Sequence, residues 1–167
     1  MDLSKFKVSD WLKVAGGLLF FIAGFLAWWE LDLGFVSGSN NAFDYFFTGI
    51  VPWLIFTAIA VLTFLTAAGI WKLPETFPAP VVFLAGAALG TLLVIIRFFS
   101  DGEDGVSLDR AIGLYLAIIG AIVVLVGAFL AFQESGGKIG ELAQSFQKKP
   151  ATRGPDDAPP PPPPPAV

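Results

Sequence analysis

The stretch APVVFLAGAALGTLLVIIRFF, Ala79–Phe99, is a run of 21 residues whose only ionisable side chain is Arg97, two positions from its end. An α-helix rises about 1.5 Å per residue, so roughly 20 apolar residues cross the ~30 Å hydrocarbon core of a bilayer. This stretch therefore predicts a membrane-spanning helix.

Three further apolar runs occupy residues 14–29, 46–71 and 111–132. Together with 79–99 they predict an all-α fold, a four-helix transmembrane bundle formed by residues 1–135. The chain has 167 residues, of which 55% are hydrophobic and 14% charged. A soluble domain is about 45–50% apolar and ~25% charged. The remaining 32 residues are too few and too polar to form a second folded domain.

The composition also excludes several kinds of chemistry. The chain contains no cysteine and no histidine, which removes disulfides, thiol nucleophiles, histidine acid–base catalysis, and thiolate or imidazole metal sites. We expect no cofactor, no metal site and no enzymatic activity. We also expect no ionisable side chain deep in any span.

The basic residues are sorted by side of the predicted membrane domain. Only Arg97 and Arg110 fall on one side, at helix edges, where we expect each to snorkel to the surface and pair with acidic loop residues. Eight lie on the other side: Lys5, Lys7, Lys13, Lys72, Lys138, Lys148, Lys149 and Arg153. By the positive-inside rule, both termini are predicted to be cytoplasmic.

Small residues recur along the spans at steps of three, four and seven. In lipid, helices associate through close backbone approach, which small residues permit. The predicted packing positions are Gly17, Gly24, Gly86, Gly90, Gly113, Gly120 and Gly127. The pair Gly86 and Gly90 forms a G-x-x-x-G that could join two copies of the chain. We favour packing within one chain, because three partner helices are covalently available.

Local signals refine the ends of the spans. Asn41 followed by Asp44 predicts an N-cap that opens span two. Pro80 suits the first turn of span three, and Gly136 is a plausible helix stop. Trp28 and Trp29 are predicted to lie at the headgroup level as part of an aromatic belt.

The C-terminal region divides into two segments. In residues 136–149 an apolar stripe with flanking lysines predicts a short amphipathic helix on an anionic membrane surface. Its membrane-contacting residues are Lys138, Ile139, Leu142, Phe146, Lys148 and Lys149. Residues 150–167 are predicted to be a disordered proline-rich tail with seven consecutive prolines at 159–165. Whether a partner binds this tail stays open.

Three segments carry a resemblance to a family. They are GGLLFFIAGFLAWW at 16–29, NAFDY at 41–45 and RAIGLYLAIIGAI at 110–122. The chain resembles small bacterial, mostly actinobacterial, integral membrane proteins with four spans and a proline-rich cytoplasmic tail. The resemblance implies a topology and a bacterial cytoplasmic membrane. It implies no activity and no functional residues.

These observations favour a non-enzymatic membrane anchor or accessory subunit that presents a cytoplasmic tail. The alternative is a small channel or transporter component that works as an oligomer. The expected partner is the lipid bilayer. A homo-oligomer and a cytoplasmic protein bound to the tail remain open, and we expect no nucleic acid.

The orientation can be tested with single cysteines, because the chain has none of its own. In intact cells we expect Ser39→Cys and Gly102→Cys to react with a membrane-impermeant thiol reagent. Thr76→Cys should react only after permeabilisation, because it lies on the side rich in basic residues. The opposite labelling pattern would reject cytoplasmic termini.

Overall fold

The computed structural model describes residues 6–32, 37–74, 77–100 and 109–137, which fold mainly as α-helices. The helices are α1 (Val8–Ala23), α2 (Val51–Ala67), α3 (Ala79–Phe99) and α4 (Ile112–Glu134). A 3₁₀ turn (Ala42–Asp44) and a π-helix (Phe46–Ile50) precede α2. Three short strands are β1 (Trp29–Asp32), β2 (Ser37–Asn40) and β3 (Asp109–Arg110).

Three helical segments in the described ranges are long and apolar enough to cross a membrane. They are Phe46–Ala67, Ala79–Phe99 and Ile112–Glu134. The first helix differs from the span expected at 14–29, because it begins at Val8, ends at Ala23 and has only 16 residues. It ends early because the backbone beyond it enters a sheet: the Trp28 N–H donates to the Asn40 carbonyl oxygen at 2.8 Å.

The four helices form a ring in which each packs on two others. Helix α1 contacts α2 and α4, and α3 also contacts α2 and α4. Neighbouring helices run antiparallel: along the α1–α4 contact, Gly127 lies against Leu12 and Gly113 lies against Leu26. The first and last helices are therefore neighbours.

Apolar side chains fill the centre of this ring. The rings of Phe20 and Phe56 are 4.5 Å apart between centroids, and both side chains are fully buried. Val94 on α3 and Leu114 on α4 are also fully buried in the same core. Thr91 bridges two helices, because its hydroxyl donates to the Ala87 carbonyl at 2.7 Å and approaches the Ala121 carbonyl at 3.4 Å.

A three-stranded antiparallel sheet covers one end of the bundle, so the expectation of an all-α fold is wrong in this detail. The strand order is β2-β1-β3, with Trp29 opposite Asn40 on one side and opposite Arg110 on the other. Backbone groups of connecting segments need hydrogen-bond partners. Since the connections after α1 and α3 emerge at the same end, their backbones pair with each other.

The start of the second span is more complex than predicted. The capping box is confirmed: the Asn41 side chain accepts the Phe43 N–H at 2.9 Å, and Asp44 accepts the Asn41 N–H at 2.7 Å. However, it opens the 3₁₀ turn rather than the spanning helix. The π-helix then precedes Pro52, which lies in the first turn of α2. Proline has no N–H to donate and its ring would crowd a preceding α-helical carbonyl, which accounts for the wider turn.

A glycine in the left-handed conformation follows the last residues of α2 and of α4. Gly69 has φ +71°, and the Ile70 N–H donates back to the Leu65 carbonyl at 3.0 Å, as in a Schellman motif. Helix α2 therefore ends at Ala67, before the expected residue 71. Gly136 has φ +81° directly after α4, which confirms the predicted helix stop.

The other boundaries agree closely with the sequence. Helix α3 matches the predicted 79–99 and has Pro80 in its first turn, and α4 differs from 111–132 by one residue at its start and two at its end. The predicted membrane-surface residues lie outside the described residues, as does the proline-rich tail at 150–167. These surface residues are Lys138, Ile139, Leu142, Phe146, Lys148 and Lys149.

The packing makes opposite predictions for two glycine-to-alanine substitutions. A Cβ on Gly120 would lie 2.9 Å from the Gly16 carbonyl oxygen, whereas one on Gly86 would lie 3.4 Å from the Ile55 side chain, an ordinary contact. Alanine is favoured over glycine in a helix by about 1 kcal/mol. We expect Gly120→Ala to lower the melting temperature in detergent, and Gly86→Ala to leave it unchanged or raise it. Equal destabilisation by both would contradict the contact between α1 and α4.

Candidate functional site

The seven glycines predicted to mediate packing lie at contacts between segments of the same chain. On α1, Gly17 faces Ala60 of α2, and just beyond α1 Gly24 faces the Trp53 indole. On α3, Gly90 lies against the Phe56 ring and Gly86 faces Ile55. The G-x-x-x-G of α3 is thus directed at α2.

The three glycines of α4 all face α1 or the turn that follows it. A Cβ on Gly113 would lie 2.5 Å from the Ala27 carbonyl oxygen, and one on Gly127 would lie 2.9 Å from the Lys13 backbone nitrogen. Gly120 meets Gly16 backbone to backbone. These positions form a packing seam along the whole contact.

A polar cluster occupies the end of the bundle where α1 begins and α4 ends. Lys13 Nζ is 3.0 Å from Asp10, and this lysine is only 5% exposed. The Ser9 hydroxyl donates to Glu134 at 3.1 Å, and Lys7 Nζ lies 3.3 Å from the same carboxylate. We call these five residues the α1–α4 polar cluster. They link the first helix of the ring, α1, to the last, α4, through charged and hydrogen-bonded groups as well as through packing.

Lys13 is buried although it precedes the predicted span at 14–29. The first helix begins six residues earlier than predicted, so Asp10 and Lys13 lie in its first two turns. The Lys13 ammonium also lies 5.7 Å from the centroid of the Phe83 ring on α3. A buried cation is tolerated when it is paired, and here a carboxylate one helical turn away supplies the pair.

A second polar site lies at the opposite end, beneath the sheet. Arg97, in the last turn of α3, is only 6% exposed, and its guanidinium carbon lies 3.4 Å from the centroid of the Tyr45 ring. It lies 5.2 Å from the Trp29 ring. The Tyr45 hydroxyl accepts a hydrogen bond from the Asn40 side-chain amide at 2.9 Å. We call Trp29, Asn40, Tyr45 and Arg97 the Arg97 site.

Two sequence-based expectations about this end are wrong. Arg97 does not snorkel to the surface, because the sheet and the Tyr45 segment cover it. Trp28 and Trp29 do not form an exposed belt, since they are 0% and 1% exposed. Instead Trp28 donates its indole N–H to the Ala23 carbonyl at 2.8 Å and packs edge-on against Phe20.

Arg110 lies in β3 rather than at a helix edge. Its Nε donates to the Phe98 carbonyl oxygen at 2.9 Å. Its guanidinium carbon is 5.4 Å from the Trp29 ring, so two cations lie near the same indole. Three of the acidic loop residues with which it was expected to pair, Asp101, Glu103 and Asp104, lie outside the described residues. The fourth, Asp109, lies beside it in β3, opposite Glu30.

The two polar sites differ in their chemical groups. The α1–α4 polar cluster contains two ammonium groups, two carboxylates and a hydroxyl, and the Arg97 site contains a guanidinium, two aromatic rings and an amide. Within the described ranges, no group of three or more Asp, Glu, His or Cys side chains could hold a metal ion. Both sites carry charged side chains that can contact a ligand of opposite charge.

Comparisons of the chain with family models, with curated proteins and with solved structures find no match. The structure itself defines the class. It has four helices, three of which could span a bilayer, and many large apolar side chains face outward, among them Leu54, Leu89 and Ile119. These features are those of a helical membrane protein.

The α1–α4 polar cluster yields a prediction about stability. Asp10→Ala leaves Lys13 buried without its carboxylate, and we expect a loss of about 2 kcal/mol, less than for a fully buried pair because Asp10 is partly exposed. Adding Lys13→Met should recover part of that loss, because it removes the unpaired charge. The control Lys7→Ala should cost under ~1 kcal/mol, because its pair with Glu134 is more exposed. Unfolding in detergent measures all three, and no recovery in the double variant would contradict a buried pair.

Proposed function

We propose that this chain is a four-span, non-enzymatic membrane anchor or accessory subunit that presents its C-terminal segment to a partner in the cytoplasm. The observation that carries the proposal is the filled interior of the bundle. Phe20, Phe56 and Leu114 meet in the core with no exposure. In the described residues, this packing favours a scaffold over a single-chain conduit.

The fourth span in this proposal is α1. By itself it is about 24 Å long at 1.5 Å per residue, shorter than the hydrocarbon core. However, α1 and the turn after it lie alongside the spanning helix α4 from Gly127 to Gly113. The outward side chains Leu18, Ile22 and Phe25 are 56%, 50% and 58% exposed, as expected of a surface that faces lipid. A helix that follows α4 over this distance occupies the same depth of membrane.

The proposed orientation places the α1–α4 polar cluster in the cytoplasm and the sheet on the opposite side. It rests on the eight-to-two sorting of basic residues. The C-terminal segment then continues from α4 into the cytoplasm, where residues 138–149 could contact anionic lipid. The proposed location is a bacterial cytoplasmic membrane, following the resemblance to small actinobacterial four-span proteins.

The alternative, an oligomeric channel or transporter component, is supported by a groove on the outer face of α1 and α2. The groove holds about 330 Å³ and is bordered by Gly17, Leu18, Ala60 and Val61. Small residues at its floor would allow close approach of a helix from a second copy. In this alternative, a pathway for an ion or solute would lie between copies of the chain and not within one bundle.

The proposal is tested by cross-linked purification from native membranes with three baits: the full chain, the chain truncated after Ser135, and Phe146→Glu. We expect a cytoplasmic partner with the full chain, its loss on truncation, and weaker recovery with Phe146→Glu if the segment must lie on the membrane. A partner retained by the truncated bait would contradict presentation by the tail. Recovery of only a second copy with all three baits would favour the oligomer.

A further inference from the structure

We propose that the Arg97 site binds a phosphate-type oxyanion, held by Arg97 and the indole N–H of Trp29 at the sheet end of the bundle. Arg97 carries a buried positive charge. Arginine stays protonated in proteins, and Arg97 is 94% buried, as its exposure is 6%. Among the described residues no carboxylate pairs with it, since the two ion pairs found there involve Lys7 and Lys13.

Tyr45 compensates only part of the cost of burying Arg97. The centroid of its ring lies 3.4 Å from the guanidinium carbon, which is a cation–π contact. Such a contact offsets only part of the cost of burying an ion. It leaves Nε and Nη2 of Arg97 without a hydrogen-bond partner. These two nitrogens still require an acceptor.

The unused donors have the geometry of a bidentate site. Nε and Nη2 of Arg97 are both buried and have no hydrogen-bond partner. These two nitrogens share one edge of the guanidinium, where their N–H bonds are parallel and match two oxygens of one phosphate or carboxylate. A single oxyanion at this edge would satisfy both donors at once.

Trp29 supplies a third donor of the same kind. Its Nε1 is buried without a partner, and its ring lies 5.2 Å from the Arg97 guanidinium carbon. The indole N–H can only donate, so it also requires an acceptor. Buried polar groups are satisfied in most proteins, and three unsatisfied donors on two adjacent side chains indicate a missing acceptor.

The position of the site favours phosphate among the oxyanions. Arg97 is two residues from the end of α3, and Phe99 at that end is 73% exposed. The start of the second span, at the same end, exposes Phe46 and Phe47 by 62% and 72%. These exposed apolar rings face lipid up to the ends of the helices, so the Arg97 site just beyond them lies at the border of the hydrocarbon, next to the headgroups where phosphate groups are concentrated. The phosphate could belong to a lipid headgroup or be free in solution.

The test uses the full chain in a neutral maltoside detergent and follows its melting temperature. One titration adds inorganic phosphate against sodium chloride of equal ionic strength. The second adds phosphatidylglycerol against diacylglycerol, which lacks the phosphate. We expect the melting temperature of the wild-type chain to rise by several degrees with a phosphate ligand. Arg97→Gln should abolish the rise, and the control Lys72→Gln, an exposed cation elsewhere, should keep it.

The outcomes separate the sources of phosphate. A rise with both ligands supports a site open to free phosphate, and a rise with the lipid alone supports a headgroup site. If Arg97→Gln does not fold, Trp29→Phe keeps an aromatic side chain at this position and removes the indole N–H together with its five-membered ring. It should weaken phosphate binding about tenfold, as expected for one hydrogen bond to a charged group. The proposal is overturned if neither ligand stabilises the wild-type chain, or if both variants respond as the wild type does.

Discussion

The structure depends on the backbone-to-backbone contact between Gly16 on α1 and Gly120 on α4. A Cβ on either residue would lie 2.9 Å from the carbonyl oxygen of the other. Because lipid offers no hydrophobic drive for helices to meet, dispersion and close approach hold them together. This contact joins the first helix to the last and closes the ring.

Closure of the ring explains the features at both of its ends. With α1 beside α4, the connections that leave α1 and enter α4 emerge together, so β1 can pair with β3. The sheet covers the core residues Trp28 and Trp29 and encloses Arg97. At the other end of the bundle, the packing of α1 beside α4 brings Ser9 and Lys7 close to Glu134. Both polar sites therefore depend on one packing seam.

The sequence predicted the helical core well and the ends poorly. Apolar length located α3 to the residue and α4 to within two, because an uninterrupted run of this kind has one stable form in lipid. The start of the first helix was predicted too late, because a hydropathy pattern places the charged residues Asp10 and Lys13 outside the helix. In the structure they lie one helical turn apart within α1 and form an ion pair. Gly69 could have indicated the end of α2, since a glycine after an apolar run often adopts positive φ.

The sheet and the Arg97 site could not be read from local patterns. The pairing of Trp29 with Arg110 joins residues 81 positions apart, and it depends on the ring closing first. In the sequence, Trp28 and Trp29 have the pattern of an interfacial belt. Their burial by segments distant in the chain leaves no signal in the neighbouring residues. Likewise, an arginine near a helix end normally reaches the surface, and only the Tyr45 segment prevents this.

The adjacency of α1 and α4 also has a consequence for biogenesis. Helix α1 is synthesised first, yet the face that carries Gly16 has no partner until α4 has been made, about a hundred residues later. In the interval, α1 can use only the face that carries Gly17, against α2. Until α4 arrives, the α1–α2 pair has one uncovered face of small residues. Among the described helices, α4 is therefore the one whose arrival closes the ring.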